Sequence, residues 1–437
     1  MNMDANGEYD VAIIGAGLAG LSAGALLAKR GWRVLLLERS SRVGGRASYI
    51  ERDGIVFEYG QHSHRLGPDG MAARVFRELG ETIRWAEPAN ARAYLYRDGR
   101  LYPRPEGPLG FLRSRLMSFP ARLAFLRVYR RLLGENPDLW YSATLIDWYR
   151  ERFRNPEVGR FLSFLGLTVM LPYPDRVSAG EVIHFLKRAA AAPVKQGEPL
   201  GGMTQTLGTL ERVFTRQGGL LHRAERVHAI EIENGATTGV RTDRARYRAA
   251  RVVTAFPLFR LFDLVSDEHF APDFVRYVRQ IRPSRGVSID FVFDESSAPP
   301  PGSMLGVDLP LWVKLRSNNA PGMAPDGQCV STWGLLLPPD AEATAREADR
   351  AEATIKRIMG EVFPGLPGKV RTERRLLIPV VNGNMLTPAQ SYPNRPDIVS
   401  RDVRGLFFIG DTTRGEGCSG DIAFSSALKL AEHLGTP

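Results

Sequence analysis

The run Tyr9 to Ile14 is almost wholly apolar, as in a parallel strand buried on both faces. Leu21 to Lys29 is dominated by Ala and Leu and predicts a helix that Gly31 ends. Trp32 to Leu37 is a second apolar run and a second strand. Arg226 to Ile232 alternates as a half-exposed strand does, and Asn234-Gly235 predicts a hairpin turn. Leu406 to Ile409 reads as a further, buried strand. The stretch 63–199 is helical in tone, with helices predicted at Pro120 to Leu133, Ala143 to Phe153 and Arg160 to Met170. The stretch 259–399 predicts a strand at Gly286 to Phe293, a turn at Pro299 to Pro301 and a strand at Cys329 to Leu337. A helix follows from Ala341 to Phe363, stopped by Pro364-Gly365. Val11 to Leu27 is apolar, yet Gly and Ala interrupt it and no basic leader precedes it. Neither a signal peptide nor a membrane span is expected there. The first eight residues read as a disordered tail.

Between the first strand and the first helix stand Gly15, Ala16, Gly17, Leu18, Ala19 and Gly20, a G-x-G-x-x-G spacing. The first glycine allows a tight turn, the second lets the backbone approach a pyrophosphate, and the third lets helix and strand pack closely. The helix start offers unpaired N–H groups and a positive dipole end to phosphate. Glu38 falls at the end of the second strand, where a carboxylate accepts from ribose hydroxyls. Strand, helix, strand and acid together predict a dinucleotide site. At the other end of the chain, Leu406 to Ile409 delivers Gly410 and Asp411. The two ends bracket one cofactor site and favour FAD over NAD.

Glu38 is followed by Arg39-Ser40-Ser41-Arg42-Val43-Gly44-Gly45-Arg46-Ala47. An acid, a short spacer and Gly-Gly-Arg resembles the flavin amine oxidase and phytoene desaturase superfamily. The resemblance continues in Phe57 to His62, in Pro199 to Met203, in Arg251 to Pro257 and in Gly410 to Ala427. It implies an α/β fold: a Rossmann-like FAD-binding domain of the amine oxidase/glutathione reductase type, interleaved with a mixed-sheet and helical (α+β) substrate domain. It implies FAD held without a covalent bond. Gly44, Gly45 and Arg46 would face the diphosphate or flavin, and Gly60, Gln61 and His62 would pass the isoalloxazine. Val227 would hold the adenine through its backbone, and Asp411 would accept from the ribityl hydroxyls. The helix starting near Asp421, Ile422 and Ala423 would aim its dipole at the flavin pyrimidine. Ser425-Ser426 departs from the family's more usual Ser-Gly.

At 437 residues the chain suits two interleaved domains, with FAD segments at 9–62, 200–258 and 400–437 and substrate segments at 63–199 and 259–399. The net charge of +10 points to an anionic partner or a membrane surface. Only seven lysines contribute, so arginine carries the excess, a usage that codon bias also produces. No zinc spacing, basic aromatic sheet or helix-turn-helix pattern is present, which argues against metal and nucleic-acid binding. Two cysteines without a pair motif suggest a reducing compartment, the cytoplasm. Phe111 to Leu133 sets arginines among large apolar residues, as in an interfacial helix, so peripheral membrane contact is one reading. A core-facing helix with a solvated arginine face is the other.

The chemistry divides three ways, because fold is not function. A C–N oxidase of the superfamily carries a lysine near the flavin, and Arg282 to Ser288 has none; Tyr392 is half of an aromatic pair at most. A desaturase acting on an apolar, isoprenoid-like substrate agrees with Met323-Ala324-Pro325-Asp326-Gly327-Gln328, which resembles a loop of phytoene desaturases, and with the segment Pro393 to Pro396. A flavin-fold binding protein without turnover is the third reading. His62, His64 and Arg65 are the catalytic candidates, since a histidine beside the flavin can transfer a proton near neutral pH or orient substrate. A backbone-bonded loop histidine is the plain alternative. Arg414 and Glu416 read as a solvated ion pair, and Cys418 lies downstream of where a covalent flavin tether would sit.

Overall fold

A computed structural model describes residues 8–86, 92–300, 302–315 and 322–437. The expected tail lies outside these residues apart from Glu8, which begins the first strand. The last residue of the expected turn Pro299 to Pro301 also falls outside them.

Two seven-stranded sheets organise the molecule. In the first, strand Glu8–Ile14 is central and parallel to both Val34–Leu37 and Arg246–Thr254. Leu220–His222 extends one side in parallel. On the other side, the start of Arg246–Thr254 pairs antiparallel with Ala236–Thr242, and its end pairs parallel with Leu406–Phe408. Val227–Glu233 completes the edge through a hairpin at Asn234 and Gly235, whose φ values of 51° and 72° are those of a primed turn. Helices Leu18–Lys29, Met203–Arg216 and Gly420–Leu434 cover one face and share a core with it through Leu21, Phe214 and Phe424.

The second sheet runs Thr372–Ile378, Gly286–Asp294, Gln328–Leu336, Leu311–Lys314, Gly302–Gly306, Arg92–Arg97, Arg100–Pro103. All its pairings are antiparallel except Gly302–Gly306 with Arg92–Arg97. Helix Ala345–Val362 packs against it. Helices Gly107–Arg113, Phe119–Gly134, Leu145–Arg152, Pro156–Leu167 and Ala179–Ala191 form a separate helical layer with its own core around Trp148, Phe161 and Leu162. The architecture is α/β with a mixed α+β part.

Helix boundaries move for identifiable reasons. The first helix starts at Leu18, three residues before the expected Leu21, because Gly17 already caps it and Gly20 lies inside its first turn. The late helix starts at Ala345 instead of Ala341, because the Thr344 hydroxyl accepts from the Glu347 N–H. Asn155 caps Glu157 and Val158 and pulls the start of its helix forward to Pro156.

Candidate functional site

The glycine fingerprint builds a tight turn. Gly15 has φ +104°, and its N–H donates to Leu37 O at 2.8 Å. A Cβ on Gly20 would lie 1.9 Å from Gly15 O, so this position admits only hydrogen. Glu38 is buried at the end of its strand; its carboxylate accepts from the N–H of Ala16 and of Ser40, both at 2.9 Å. It thus ties the turn to the following loop, with lone pairs left over. Gly44 (φ +103°) and Gly45 (φ +54°) form the next loop, and Gly44 N–H donates to Ala16 O at 2.7 Å. Arg39 is exposed beside them.

Arg46 closes on Asp411 with two bonds, Nη1–Oδ2 at 2.6 Å and Nη2–Oδ1 at 2.7 Å. Gly383 N–H adds a third donor to Asp411 at 2.6 Å. Burial pushes the Asp411 carboxyl up, and the guanidinium and these N–H groups outweigh it, holding the acid below its ordinary range. Gly410 N–H donates to the Ser426 hydroxyl at 2.9 Å, so the departure at Ser426 supplies a bond to the turn it follows.

Gly15, Glu38, Gly44, Gly45, Arg46 and Asp411 line one cavity of about 1200 Å³. It begins at Gly15, Gly17, Glu38 and Val227, passes Arg46, Asp411, Gly60 and Gln61, and meets the helical layer at Phe125, Tyr129, Phe161 and Phe164. Glu106 to Pro108, all exposed, line it at the helical end. Helix Gly420–Leu434 reaches the wall with Ser419, Gly420 and Ala423.

His62 lines the cavity. Its Nδ1 sits 2.7 Å from Glu58 Oε2, and the other Glu58 oxygen accepts from Met203 N–H at 2.7 Å. The pairing places the Nδ1 proton toward Glu58. Nε2 is buried without a partner, and the ring lies 5.2 Å from Trp312, centroid to centroid. Arg65 also lines the cavity.

Several expectations need correction. His64 is 1% exposed and not part of the wall; it bonds Thr206 Oγ1 at 2.9 Å between Trp85 and Phe424. Burial lowers its pKa to about 3, so it stays neutral and does not serve as the acid or base. Asp421 and Ile422 turn away from the cavity while Gly420 and Ala423 face it. Ile422 enters the helical core, and Asp421 is buried 3.8 Å from Arg188, its pKa raised by burial to about 7. Tyr392 stacks on Tyr141 outside the cavity. Arg414 faces Asp397 at 3.5 Å instead of Glu416. Cys418 is buried in the helical core and off the wall. The Met323 to Gly327 loop packs on the hairpin Tyr49–Glu58, with Val56 N–H on Met323 O, and does not reach the cavity.

Two residues of the site, Glu58 behind the wall and Lys314 on it, have no place among the sequence-based candidates. Glu58 orients His62, and its spacing of four residues from His62 was the available signal. Lys314, at the end of strand Leu311–Lys314, projects into the cavity and donates to Glu198 and Gln196. It lies two strands away from the Arg285 region in the sheet, so proximity in sequence to Arg285 does not reveal it.

The residues fit a flavin dinucleotide. Gly17 meets the cavity with only Gly44 O, 3.9 Å away, near where a Cβ would stand, so backbone N–H groups are open to a pyrophosphate. His62 Nε2 and Ser419 Oγ are buried polar atoms at the wall without partners. Among the described residues no group of three His, Cys, Asp or Glu is placed to hold a metal ion.

Comparison with known proteins agrees with this geometry. The model of the flavin-containing amine oxidoreductases matches residues 18–434, and the chain belongs to that family of flavin-dependent oxidoreductases. An oxidoreductase from Methanosarcina mazei superposes with a TM-score of 0.79 at 22% identity, covering 97% of this chain and 99% of that one. Putrescine oxidase bound to putrescine gives 0.76 at 16% identity, covering 98% and 99%. Both likenesses carry the fold alone. Among curated proteins, carotenoid 3,4-desaturase of Haloarcula japonica is 44% identical over 81 residues, 18% of this chain and 16% of that protein. All-trans-retinol 13,14-reductase of Homo sapiens is 29% identical over 132 residues, 29% and 22% of the two chains. In both, the aligned part is under a quarter of the relative's own length.

Proposed function

We propose that this chain binds FAD non-covalently and removes a hydride from a C–H bond of an apolar, isoprenoid- or polyene-like substrate, as a desaturase or dehydrogenase. One observation carries the reading: a single cavity joins the glycine-lined turn to a half walled by Phe125, Phe161, Phe164 and Leu165. Such a wall binds through buried apolar area, at roughly 25 cal/mol per Å². The alignments with a carotenoid desaturase and a retinol reductase support the same class.

The segments 9–62, 200–258 and 400–437 form the cofactor domain in this reading, and 63–199 with 259–399 the substrate domain. Gly15, Gly17, Gly44 and Gly45 present backbone N–H groups to the pyrophosphate, Glu38 and Asp411 accept from the sugar hydroxyls, and Arg46 adds positive charge. FAD, when bound, supplies the hydride acceptor. His62 takes the proton that leaves the neighbouring carbon as the double bond forms, through its unpartnered Nε2. Glu58 holds the ring and stabilises the imidazolium. The helical layer excludes water. Cys418 lies off the wall, which supports a non-covalent cofactor.

Lys314 favours a second reading, an amine oxidase, since it places a lysine on the cavity wall. Against it, Lys314 is already paired with Glu198, and Arg65 and Lys195 leave the substrate half with positive charge that repels ammonium groups. Anaerobic flavin bleaching against a panel of polyenes and a panel of amines separates the two. Bleaching by amines alone overturns the desaturase reading.

The cavity mouth suits a membrane surface. Leu109, Phe119 and Leu123 are 59%, 57% and 37% exposed on the two helices beside it, with Arg113, Arg115, Arg127 and Arg130 exposed around them. Those helices pack together through stacked Phe111 and Phe125. We assign this face to peripheral contact with an anionic bilayer, from which an apolar substrate enters. Among the described residues no helix is long and apolar enough to cross a membrane.

A further inference from the structure

Removing hydrogen from a hydrocarbon needs no cation on the wall of an apolar cavity, where a charge without a partner is unfavourable. The wall nevertheless carries the half-buried Arg65, while a second arginine, Arg104, lines it beside the exposed Glu106 at the mouth. Arg65 stands opposite Gln196 in a short antiparallel pair. Its guanidinium carbon lies 5.3 Å from the centre of the Phe185 ring, and it makes no hydrogen bond or ion pair with any described residue. The two lysines of this half are engaged. Lys314 holds Glu198 and Gln196, and Lys195 donates to the carbonyls of Ala189 and Ala192 at the end of helix Ala179–Ala191. Among the described residues lining this half, Glu106 is the one acid, and it is exposed at the mouth. Behind the wall, Asp421 feels the Arg65 charge, but burial favours its neutral form and its nearest cation is Arg188. Arg65 is therefore an unsatisfied five-donor fork facing an apolar space.

We propose that Arg65 is a substrate anchor that binds a carboxylate at one end of an otherwise apolar chain, so that the substrate class is an isoprenoid or conjugated acid and not a pure hydrocarbon. This rests on the reading of the cavity as a substrate tunnel. A planar fork matches a carboxylate in two parallel bonds. A diphosphate end group carries more charge than one guanidinium offsets, and the nearby lysines are already committed. The apolar helices then receive the chain, and the anchor fixes its register relative to His62.

The test uses the FAD-loaded protein and three probes: a C20 conjugated polyene carboxylic acid, its methyl ester, and geranylgeranyl diphosphate. Affinities are read from the flavin absorbance change or tryptophan quenching in wild type, Arg65→Gln and Arg65→Lys. The wild type is expected to bind the acid roughly tenfold or more tighter than the ester. Arg65→Gln should erase that preference with FAD content retained, and Arg65→Lys should restore part of it. Equal binding of acid and ester by the wild type overturns the anchor, as does equal weakening of both by Arg65→Gln. Loss of FAD from Arg65→Gln makes the residue a flavin ligand and also overturns it. Stronger binding of the diphosphate than of the acid overturns the choice of carboxylate. Acid preference without bleaching by any polyene retires the desaturase reading and leaves the anchor standing. Bleaching by neutral polyenes with no acid preference does the reverse.

Discussion

Arg46 and Asp411 are 365 residues apart in the chain and meet at the cavity wall in a two-pronged ion pair, 2.6 and 2.7 Å long. One comes from the loop after the fingerprint and the other from the end of the last strand. The pair therefore staples the two ends of the chain together at the point where a dinucleotide would lie. The Asp411 side chain is 5% exposed and the Arg46 side chain 35%, so solvent tempers the arginine's desolvation and leaves the carboxylate dependent on its donors.

Asp411→Asn should lower stability by roughly 2–3 kcal/mol, because it leaves Arg46 without a counter-charge in a partly buried site. The double variant Arg46→Gln, Asp411→Asn should recover part of that loss, since no lone charge remains. Urea unfolding without added FAD measures both. A single variant as stable as wild type would show that the pair behaves as a surface contact.

The fingerprint glycines should separate folding from cofactor binding. In Gly20→Ala the Cβ meets a backbone oxygen at 1.9 Å, which no side-chain motion relieves. Loss of roughly 3 kcal/mol, or of soluble protein, is expected. Gly17 has φ −76°, and its nearest neighbour would be 3.9 Å from a Cβ. Gly17→Ala should stay within about 1 kcal/mol of wild type and yet retain less FAD, because its methyl group occupies the pyrophosphate approach. Equal FAD content in Gly17→Ala and wild type, measured by flavin absorbance per protein, removes Gly17 from the cofactor site.

The parts of the molecule legible from sequence are those whose physics is local. A positive φ at Gly15, the close approach at Gly20 and the apolar runs around them are all properties of a few neighbouring residues. Facing direction is harder. His64 and Arg65 adjoin in a strand, so their side chains alternate, and only Arg65 reaches the cavity. On the last helix, Gly420 and Ala423 share a face three residues apart, and Asp421 and Ile422 rotate away from it. Lys314 is illegible for a third reason: strand order in the second sheet, set by long-range pairing, decides which strand end meets the cavity.

The surface at the cavity mouth should bind anionic vesicles. Replacing Leu109, Phe119 and Leu123 together by Ser removes exposed apolar area and leaves the Phe111–Phe125 stack between the helices in place. Partitioning onto phosphatidylglycerol vesicles should fall roughly hundredfold in cosedimentation. Phosphatidylcholine vesicles should bind the wild type more weakly, because the surrounding arginines then have no anionic partner. Wild type that stays in the supernatant with anionic vesicles sinks the proposed contact.

His64 and Asp421 should give opposite pH signatures. Burial lowers His64 from 6.5 to about 3, so between those values the unfolded chain takes up a proton that the folded chain refuses. Its contribution to stability is complete above pH 6.5 and is lost as pH falls toward 3. Burial, only partly offset by Arg188 and Arg65, raises Asp421 from 3.8 to about 7. Its contribution is complete below pH 3.8 and is lost as pH rises through 7. From about pH 4 to 6.5 the two slopes oppose, each about 1.4 kcal/mol per pH unit. Asp421→Asn should therefore make stability climb more steeply with pH in this window, by about that slope. His64→Gln should tilt it the other way, and the double variant should run parallel to wild type. Urea unfolding of FAD-loaded protein at half-unit pH steps measures all four profiles. An Asp421→Asn profile parallel to wild type would mean that Asp421 is ionised in the fold, with Arg188 and Arg65 compensating for its burial.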